Sequence, residues 1–414
     1  MSPVSREITL TNNETLSASD AVIEPADTTQ PGYRKALFAL GMGGFAIGTG
    51  EFVIMGLLPD AAKGLGISIP NAGHLISVYA LGVVIGAPLL AVLGARLPRR
   101  NFLMLLMALF SLGNLVSSYA PTFYTMAMAR FMAGFPHGAF FGVAALVAAS
   151  LVERHRRTQA VSMVLLGLTI ATLLGVPIVA GIGQWFGWRS AFAIVGGLGV
   201  LTMLLVYLWV PYQPGDKSAS PLRELSAFKR KQVLLTLGIG AIGSGGLFSV
   251  FSYVKPTMLE LAHLPETMIP IVLAMFGVGM ITGNLVGAKL GDKAMEQTIR
   301  RVLIWAAIIM ALFVVTAHNP WLGPVNVMLV GTVVALSAVL QTRLMDVAGD
   351  AQTLAAAMNH SAFNIANALG AWLGGVTISA GLGWQSTGWV GALLAIAGLA
   401  IHAWAMADMR HKSH

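Results

Sequence analysis

Three residues with titratable side chains lie within apolar stretches, where charge is costly. Glu51 and Arg130 each interrupt a run of hydrophobic residues, and His137 follows Arg130 by seven positions. An ionised side chain at the centre of a membrane helix costs roughly 2.5–3.5 kcal/mol on insertion scales, so these groups usually have a function. A carboxyl group in a low-dielectric site favours its neutral form. It can therefore take up and release a proton as its surroundings alternate between wet and dry, which points to proton coupling.

Glu51 and Arg130 are expected at the same depth. Glu51 precedes Pro59, the expected outer end of its span, by eight residues, and Arg130 follows Thr122, near the outer end of its own span, by eight. At the rise of a helix, each residue lies about 12 Å below that surface. The two are candidates for a pair in which the proton and Arg130 compete for Glu51. The alternative is a permanent ion pair that only stabilises the bundle.

His137 and Gly134 lie on the helix face of Arg130, because the three residues are spaced i, i+4 and i+7. Histidine titrates near neutral pH, so His137 is a candidate to relay protons or to bind substrate. The alternative is a hydrogen-bonded core histidine beside a glycine-rich helix contact. The spacing is compatible with both uses, and we group His137 with Glu51 and Arg130 as the proton-coupling residues.

A second polar stripe near the end of the chain repeats this spacing. His360, Asn364 and Asn367 are again at i, i+4 and i+7, and they must avoid lipid because polar groups in hydrocarbon need partners. They form either interhelical hydrogen bonds, worth about 0.6 kcal/mol each, or one wall of a substrate cavity. The other residues expected to line that cavity are Phe52, Met55, Gly134, Phe248 and Phe251.

The elements that must position these residues are twelve hydrophobic stretches. The chain is 56% hydrophobic and 10% charged, whereas an ordinary soluble domain carries about 25% charged residues. The excess apolar residues must face lipid, so the sequence predicts an all-α membrane protein. The spans are expected at 36–59, 74–95, 101–119, 123–150, 160–183, 190–210, 233–257, 268–289, 301–317, 322–342, 353–379 and 386–407.

Basic residues alternate between the connections of these spans. Most of the 25 Lys and Arg residues fall in every second connection, and the other connections hold few. Since Lys and Arg are retained on the cytoplasmic side, both termini are expected to be cytoplasmic. The net charge of +8 is therefore attributed to short loops against the lipid bilayer, and no nucleic-acid partner is predicted.

The spans divide into two halves that resemble each other. Gly82 and Gly86 match Gly279 and Gly283 at a constant offset, and TIATLLG at 169–175 matches NIANALG at 364–370. Parallel repeats of this kind are typical of transporters that rock two halves around a central site. The expected organisation is a disordered cytoplasmic tail (1–33), a six-helix bundle (34–210), a cytoplasmic linker (211–231), a second six-helix bundle (232–408) and a short tail (409–414).

Four segments carry a resemblance to a known family: GTGEFVIMGLLPDAAKGLGIS (48–68), GAPLLAVLGARLPRRNFL (86–103), ARFMAGFPHGAFFG (129–142) and LGVPIVAGIGQWFGWRSAF (174–192). The chain resembles the major facilitator superfamily, in its twelve-helix drug:proton antiporter branch, which includes bacterial arabinose, sugar, purine and chloramphenicol exporters. The resemblance implies the major facilitator fold. It also implies a set of conformational residues: Gly86, Arg96, Arg99, Arg100, Gly175, Pro177, Gly181, Asp292 and Lys293.

The loop signature departs from the family pattern in the first half. Ala95 stands where the family has an acidic residue, and Pro98 stands where it has a glycine. The second half keeps the acid, as Asp292 beside Lys293. The resemblance therefore implies a conformational latch in the second half rather than in the first.

Taken together, these features predict a proton-coupled exporter of a drug, sugar or purine-like compound that works by alternating access. The proton gradient would supply the energy without a cofactor, in a monomer of a bacterial inner membrane. The first alternative is uptake by proton symport or facilitated diffusion. A remoter one is a membrane sensor or enzyme, but the chain has no cysteine, no metal-ligand spacing and no phosphate-binding loop.

Overall fold

The computed structural model describes residues 30–67, 69–215 and 225–412, and the regular elements in these ranges are helices. Residues 1–29 of the expected tail and residues 216–224 of the expected linker lie outside them. The α-helices of the first half are α1 (Tyr33–Gly56), α2 (Leu58–Leu65), α3 (Ile69–Gly94), α4 (Arg99–Tyr119), α5 (Phe123–Gly134), α6 (His137–Ser150), α7 (Arg157–Ile170), α8 (Val176–Phe186) and α9 (Trp188–Trp209). Those of the second half are α10 (Lys231–Gly238), α11 (Gly245–Phe251), α12 (Val254–Glu260), α13 (Ile269–Thr316), α14 (Leu322–Gly331), α15 (Ala335–Val347), α16 (Gln352–Thr377) and α17 (Ser386–Lys412).

Eleven helical segments within the described ranges are long and apolar enough to cross a membrane. Ten correspond one to one with predicted spans, and the eleventh, α13, covers the two spans predicted at 268–289 and 301–317. This helix has 48 residues, which is about 72 Å of helical rise against a hydrocarbon core of about 30 Å. Its backbone leaves helical geometry at Ala294 (φ −159°, ψ 77°). The predicted loop between the two spans is therefore largely helical, with a sharp break inside it.

A wide helical turn interrupts the fifth predicted span where the sequence places Pro177. A π-helical turn, Ala171–Gly175, joins α7 to α8, and Pro177 lies in the first turn of α8. Proline has no N–H to donate to the preceding turn, and π-turns are associated with bends in helices. The helical geometry thus changes immediately before Pro177.

The internal repeat appears as two equivalent helix crossings. A Cβ on Gly86 of α3 would lie 2.0 Å from the carbonyl oxygen of Phe135, and one on Gly283 of α13 would lie 2.3 Å from that of Thr332. The matched glycines therefore let the second predicted span of each half approach the backbone of the fourth. Small residues have this role at helix contacts in membranes, because the hydrophobic effect does not drive helices together in lipid and close packing must do so.

Apolar side chains form two large buried clusters, one made mostly of first-half residues and one of second-half residues, and a smaller cluster joins the halves. The joining cluster brings Ala87 and Ala91 of α3 against Leu354 and Ala355 of α16. Hydrogen bonds reinforce the contact at the end of the molecule where the basic loops lie. The carboxylate of Asp292 accepts from the backbone N–H groups of Thr158 (2.7 Å) and Gln159 (3.0 Å).

Two further contacts join the halves. The side-chain amide of Asn284 donates to the carbonyl oxygen of Ser162 at 3.0 Å, and the Ser162 hydroxyl donates to that of Asn284 at 3.2 Å. Arg157 Nη1 donates to Asp346 Oδ1 at 2.8 Å. These contacts and those of Asp292 form what we call the basic-end lock.

The end of the last helix and the environment of Arg343 differ from what the sequence predicts. The last helix continues to Lys412, although a tail was expected from residue 409, and its basic residues there suit a helix C-terminus. Arg343, which lies just beyond the span predicted at 322–342, is 1% exposed within α15. Its guanidinium donates to Glu296 (2.9 Å), Gln232 (3.1 Å) and Thr236, so the charge is compensated inside the second half.

Candidate functional site

Arg130 is completely buried at the centre of the first half. Its Nη1 donates to the carbonyl oxygen of Gly50 at 2.8 Å, and its Nη2 donates to that of Glu51 at 3.3 Å. The guanidinium carbon also lies 4.4 Å from the ring centroid of Tyr79 and 5.6 Å from that of Phe192. The contact with residue 51 is therefore made through the backbone of α1. A buried cation is costly unless it is compensated, so the nearby Glu51 carboxylate matters when it is ionised.

The carboxyl group of Glu51 lies beside the imidazole ring of His137. Its Oε2 is 3.9 Å from His137 Nδ1, and the Glu51 side chain is 14% exposed. The Tyr79 hydroxyl lies 3.3 Å from the same nitrogen of His137. The Glu51 carboxyl group and the Tyr79 hydroxyl group, which can both exchange a proton, therefore lie close to the same nitrogen of His137. All three groups are near the buried positive charge of Arg130.

Ring contacts connect His137 to the second half. The ring centroids of His137 and His360 are 5.2 Å apart, and the Phe141 ring stacks on His360 at 4.2 Å. His360 Nε2 has no hydrogen-bond partner among the described residues, and the side chain is 6% exposed. The first member of the predicted polar stripe thus contacts His137, one of the predicted proton-coupling residues, across the boundary between the halves.

The remaining predicted cavity residues are distributed more widely. Asn364 donates to the carbonyl oxygen of His360 at 2.9 Å, within its own helix, and Asn367 is half-buried. Phe251 stacks on Phe276 at 4.1 Å, beside Phe248 in the second-half core. In the first half, Gly134 is buried, with its Cα facing the backbone of Tyr79, whereas Phe52 is half-buried and Met55 is 47% exposed.

The predicted conformational residues differ in how closely their neighbours pack around them. A Cβ on Gly175 would lie 2.4 Å from Thr49 Oγ1, whereas one on Gly181 would meet nothing within 4 Å. Asp292 belongs to the basic-end lock, and its neighbour Lys293 is exposed. Three other members lie where α3 connects to α4: Arg100 lies over the rings of Tyr207 and Tyr212, Arg99 is half-buried, and Arg96 is exposed. Pro177 is exposed on α8.

Sequence reasoning missed Tyr79, Phe192 and the polar cluster around Arg343. Tyr79 has a recognisable signal, because a tyrosine within an apolar span needs a partner for its hydroxyl group. Phe192 has none, since one phenylalanine in a membrane helix resembles any other. Among the described residues, no group of three or more His, Asp or Glu side chains is arranged to hold a metal ion.

The fold and this site define a class of protein: a multi-pass helical membrane protein of two similar halves, with ionisable groups buried in the first half and at its boundary with the second. The Major Facilitator Superfamily family model matches residues 40–348 and 256–414. The chain is 39% identical over 366 residues to the "Inner membrane transport protein YdhP" of Escherichia coli (strain K12), which covers 88% of this chain and 94% of that protein. It is 28% identical over 377 residues to the "Probable sugar efflux transporter" of Helicobacter pylori (strain P12), covering 90% of this chain and 96% of that protein.

Among solved structures, the crystal structure of the E. coli fucose:proton symporter FucP matches with a TM-score of 0.73 at 13% identity. That match covers 90% of this chain and 99% of that one, and it shows the fold. The chain belongs to the Major Facilitator Superfamily. Its relatives are membrane transporters rather than enzymes, in agreement with the interpretation of the sequence.

Proposed function

We propose that this chain is a proton-coupled exporter of a small molecule, with twelve spans, both termini in the cytoplasm and two halves that alternate in access. The observation that carries the proposal is the Glu51 carboxyl group, deep in a span, 3.9 Å from His137 and beside the fully buried Arg130. Counting α13 as two spans separated by the break at Ala294 gives the twelve. The relative named as an inner membrane transport protein supports the proposed location. The relative named as a probable sugar efflux transporter supports the proposed direction of transport.

The proposed proton step depends on the charge of Arg130. When Glu51 is ionised, it offsets the buried guanidinium, and when it takes a proton that compensation is lost. His137 and the Tyr79 hydroxyl are close enough to pass the proton or to hold the carboxyl group in place. A change in the charge of this cluster thus changes the stability of the contact that His137 makes with His360 of the other half.

The arrangement of the halves supports an outward-facing state. The basic-end lock joins the halves at the end that carries most Lys and Arg loops. If that end faces the cytoplasm, as the positive-inside rule indicates, the site is closed on the cytoplasmic side. A proton from outside would then load Glu51, the halves would rock, and the proton would leave as substrate binds from the cytoplasm, which produces antiport.

Cellular accumulation of labelled drugs, sugars and purines tests this proposal in an efflux-deficient bacterial host. We would compare wild type, Glu51→Gln and the matched control Glu260→Gln, since Glu260 is exposed outside the site. Each would be measured with and without a protonophore at equal membrane expression. We expect wild type and the control to lower accumulation of at least one compound, and the protonophore and Glu51→Gln each to abolish this.

Two results would contradict the proposal. Higher accumulation in wild type than in cells without the protein would show uptake instead of export. Export that is unaffected by the protonophore would show that the proton gradient does not drive it.

A further inference from the structure

A lateral groove lies between α1 and α7, away from the central site. It has a volume of about 630 Å³ and is lined by residues 33–45 of α1 and by residues that precede or belong to α7, up to Ile170. Gly41 and Gly167 form its floor, because a Cβ on Gly167 would lie 1.9 Å from the Gly41 carbonyl oxygen. The two helices therefore cross in direct backbone contact, and the larger side chains on either side of the crossing form the walls.

The groove faces away from the proton-coupling residues. Arg34, Phe38, Gly41 and Phe45 share one helix face, because they are spaced i, i+4, i+7 and i+11. Glu51 follows Phe45 by six residues, which on a helix places it about 120° around the axis. Phe38 is 56% exposed, and Met163, on the opposite wall, is 40% exposed. The groove thus opens on the outer surface of the bundle, where hydrocarbon is the solvent.

Charge is confined to one end of this groove. Arg34 and Arg156 are exposed at the basic end of the molecule, and Tyr33 lies beside them, with its hydroxyl group accepting from Arg34 Nε at 3.3 Å. The residues that line the groove include no carboxylate. We call this charged end the mouth of the groove. Beyond it the walls are mostly apolar and include Phe38 and Met163.

The length of the groove matches one leaflet of a bilayer. From Tyr33 to Phe45 it extends about 18 Å along α1, and half of the hydrocarbon core is about 15 Å. A ligand with an anionic head and an apolar tail about one leaflet long satisfies both the charged mouth and the apolar walls. A free phosphate would leave the walls empty, and a neutral lipid would leave the two guanidinium groups without an anion.

We propose that this groove is a binding site for an anionic phospholipid, whose headgroup lies against Arg34 and Arg156 and whose acyl chain lies between α1 and α7. The site is independent of the transported substrate and of the proton step. Basic residues near an anionic lipid surface contribute roughly a fivefold factor in affinity each. Loss of both arginines is therefore expected to weaken binding about 25-fold.

Native mass spectrometry of the full chain tests the site directly. The protein would be released from bilayers containing equal amounts of phosphatidylglycerol and phosphatidylethanolamine with identical acyl chains, and the retained lipids would be counted. We expect wild type to retain phosphatidylglycerol in preference and the double variant Arg34→Gln/Arg156→Gln to lose that preference. The matched control is Arg154→Gln/Arg300→Gln, which removes the same charge at exposed positions outside the groove.

A second variant separates the groove from a general effect of surface charge. Met163→Trp leaves the net charge unchanged but fills the groove, so it is expected to reduce phosphatidylglycerol retention while the protein stays folded by circular dichroism. Equal retention of the two lipids by wild type would overturn the proposal. So would equal losses in the groove variant and its charge-matched control, or full retention by Met163→Trp.

Discussion

Arg130 shows how a charge can be held inside this bundle by backbone carbonyl groups and aromatic rings. Its two terminal nitrogens bind successive backbone carbonyls of α1, and its flat face lies over Tyr79. This geometry requires a planar group with several donors, which arginine has and lysine lacks. Arg130 thus fixes the backbone that presents Glu51, and its charge makes the protonation state of that carboxyl group matter.

We therefore expect Arg130→Lys to destabilise the protein even though it keeps the charge. A lysine cannot reproduce both hydrogen bonds and the ring contact, and a hydrogen bond from a charged group contributes about 1.5–3 kcal/mol. The midpoint of thermal unfolding in detergent should fall by several degrees. Arg154→Lys, at an exposed position, should leave it unchanged. An unchanged midpoint for Arg130→Lys would show that the charge alone is needed.

At this scale, sequence reasoning placed residues at a depth and on a shared face within one helix, but it could not show which side chains meet between helices. It predicted Glu51 and Arg130 at similar depths, and the structure brings them into contact through the backbone of residue 51. Which atoms meet depends on side-chain rotamers and helix rotation, which a linear pattern does not encode. The same limit explains why the contact between His137 and His360 was not predicted, although both residues were selected.

At the scale of the helices, glycine spacing determines how closely the spans approach. The repeat between Gly82–Gly86 and Gly279–Gly283 was visible in the sequence, and each pair lies at a helix crossing in the structure. The sequence could not show which glycines are tight. Gly175 and Gly181 belong to one motif, yet only Gly175 of the two is in close contact with a neighbour.

Alanine substitutions should distinguish the glycines at close helix crossings from those with open space around them. Gly86→Ala and Gly283→Ala place a Cβ 2.0–2.3 Å from a backbone oxygen, so the helices must move apart. Overpacking of this kind costs about 1–3 kcal/mol, and the unfolding midpoint should fall. Gly181→Ala has open space and should be neutral or slightly stabilising. A lower midpoint for Gly181→Ala than for Gly86→Ala would contradict this account of the crossings.

Helix boundaries were predicted less well than helix existence. The first span was expected to continue to Pro59, but α1 ends at Gly56 and α2 begins at Leu58. The connection predicted near residues 290–300 is helical on both sides of Ala294. Hydropathy reports where a segment is apolar, whereas backbone hydrogen bonding continues past that point wherever no residue interrupts it.

At the scale of the whole molecule, the basic-end lock joins the two halves at one end. Asp292 accepts two backbone N–H groups at the start of α7, where the partial positive charge of a helix N-terminus adds to the interaction. The sequence indicated Asp292 from the family resemblance but could not identify its partners, which lie in the other half. Their sequence separation is more than a hundred residues.

We expect Asp292→Asn to shift the population toward states that are open at this end. The amide loses the negative charge and turns a donor toward one of the N–H groups. An anion at a helix N-terminus is worth about 1–2 kcal/mol when partly buried, so the open population should rise roughly fivefold or more.

Distances between spin labels can detect this opening, because the chain contains no native cysteine. Labels on cysteines introduced at the exposed positions Arg154 and Arg300 report on the two halves. Pulsed electron spin resonance should show a larger long-distance population in Asp292→Asn. The control Asp350→Asn, at an exposed position, should match the parent chain. Equal distributions in all three would mean that Asp292 does not hold the halves together.

The most direct test of the account is transport by purified protein in liposomes, using the compound that the cellular panel identifies. An imposed proton gradient should drive its transport by wild type and by Glu260→Gln but not by Glu51→Gln. Exchange of labelled for unlabelled compound without a gradient should persist in all three, because exchange needs alternating access but no net proton movement. Gradient-driven transport by Glu51→Gln at the wild-type rate would contradict the assignment of Glu51 as the coupling residue.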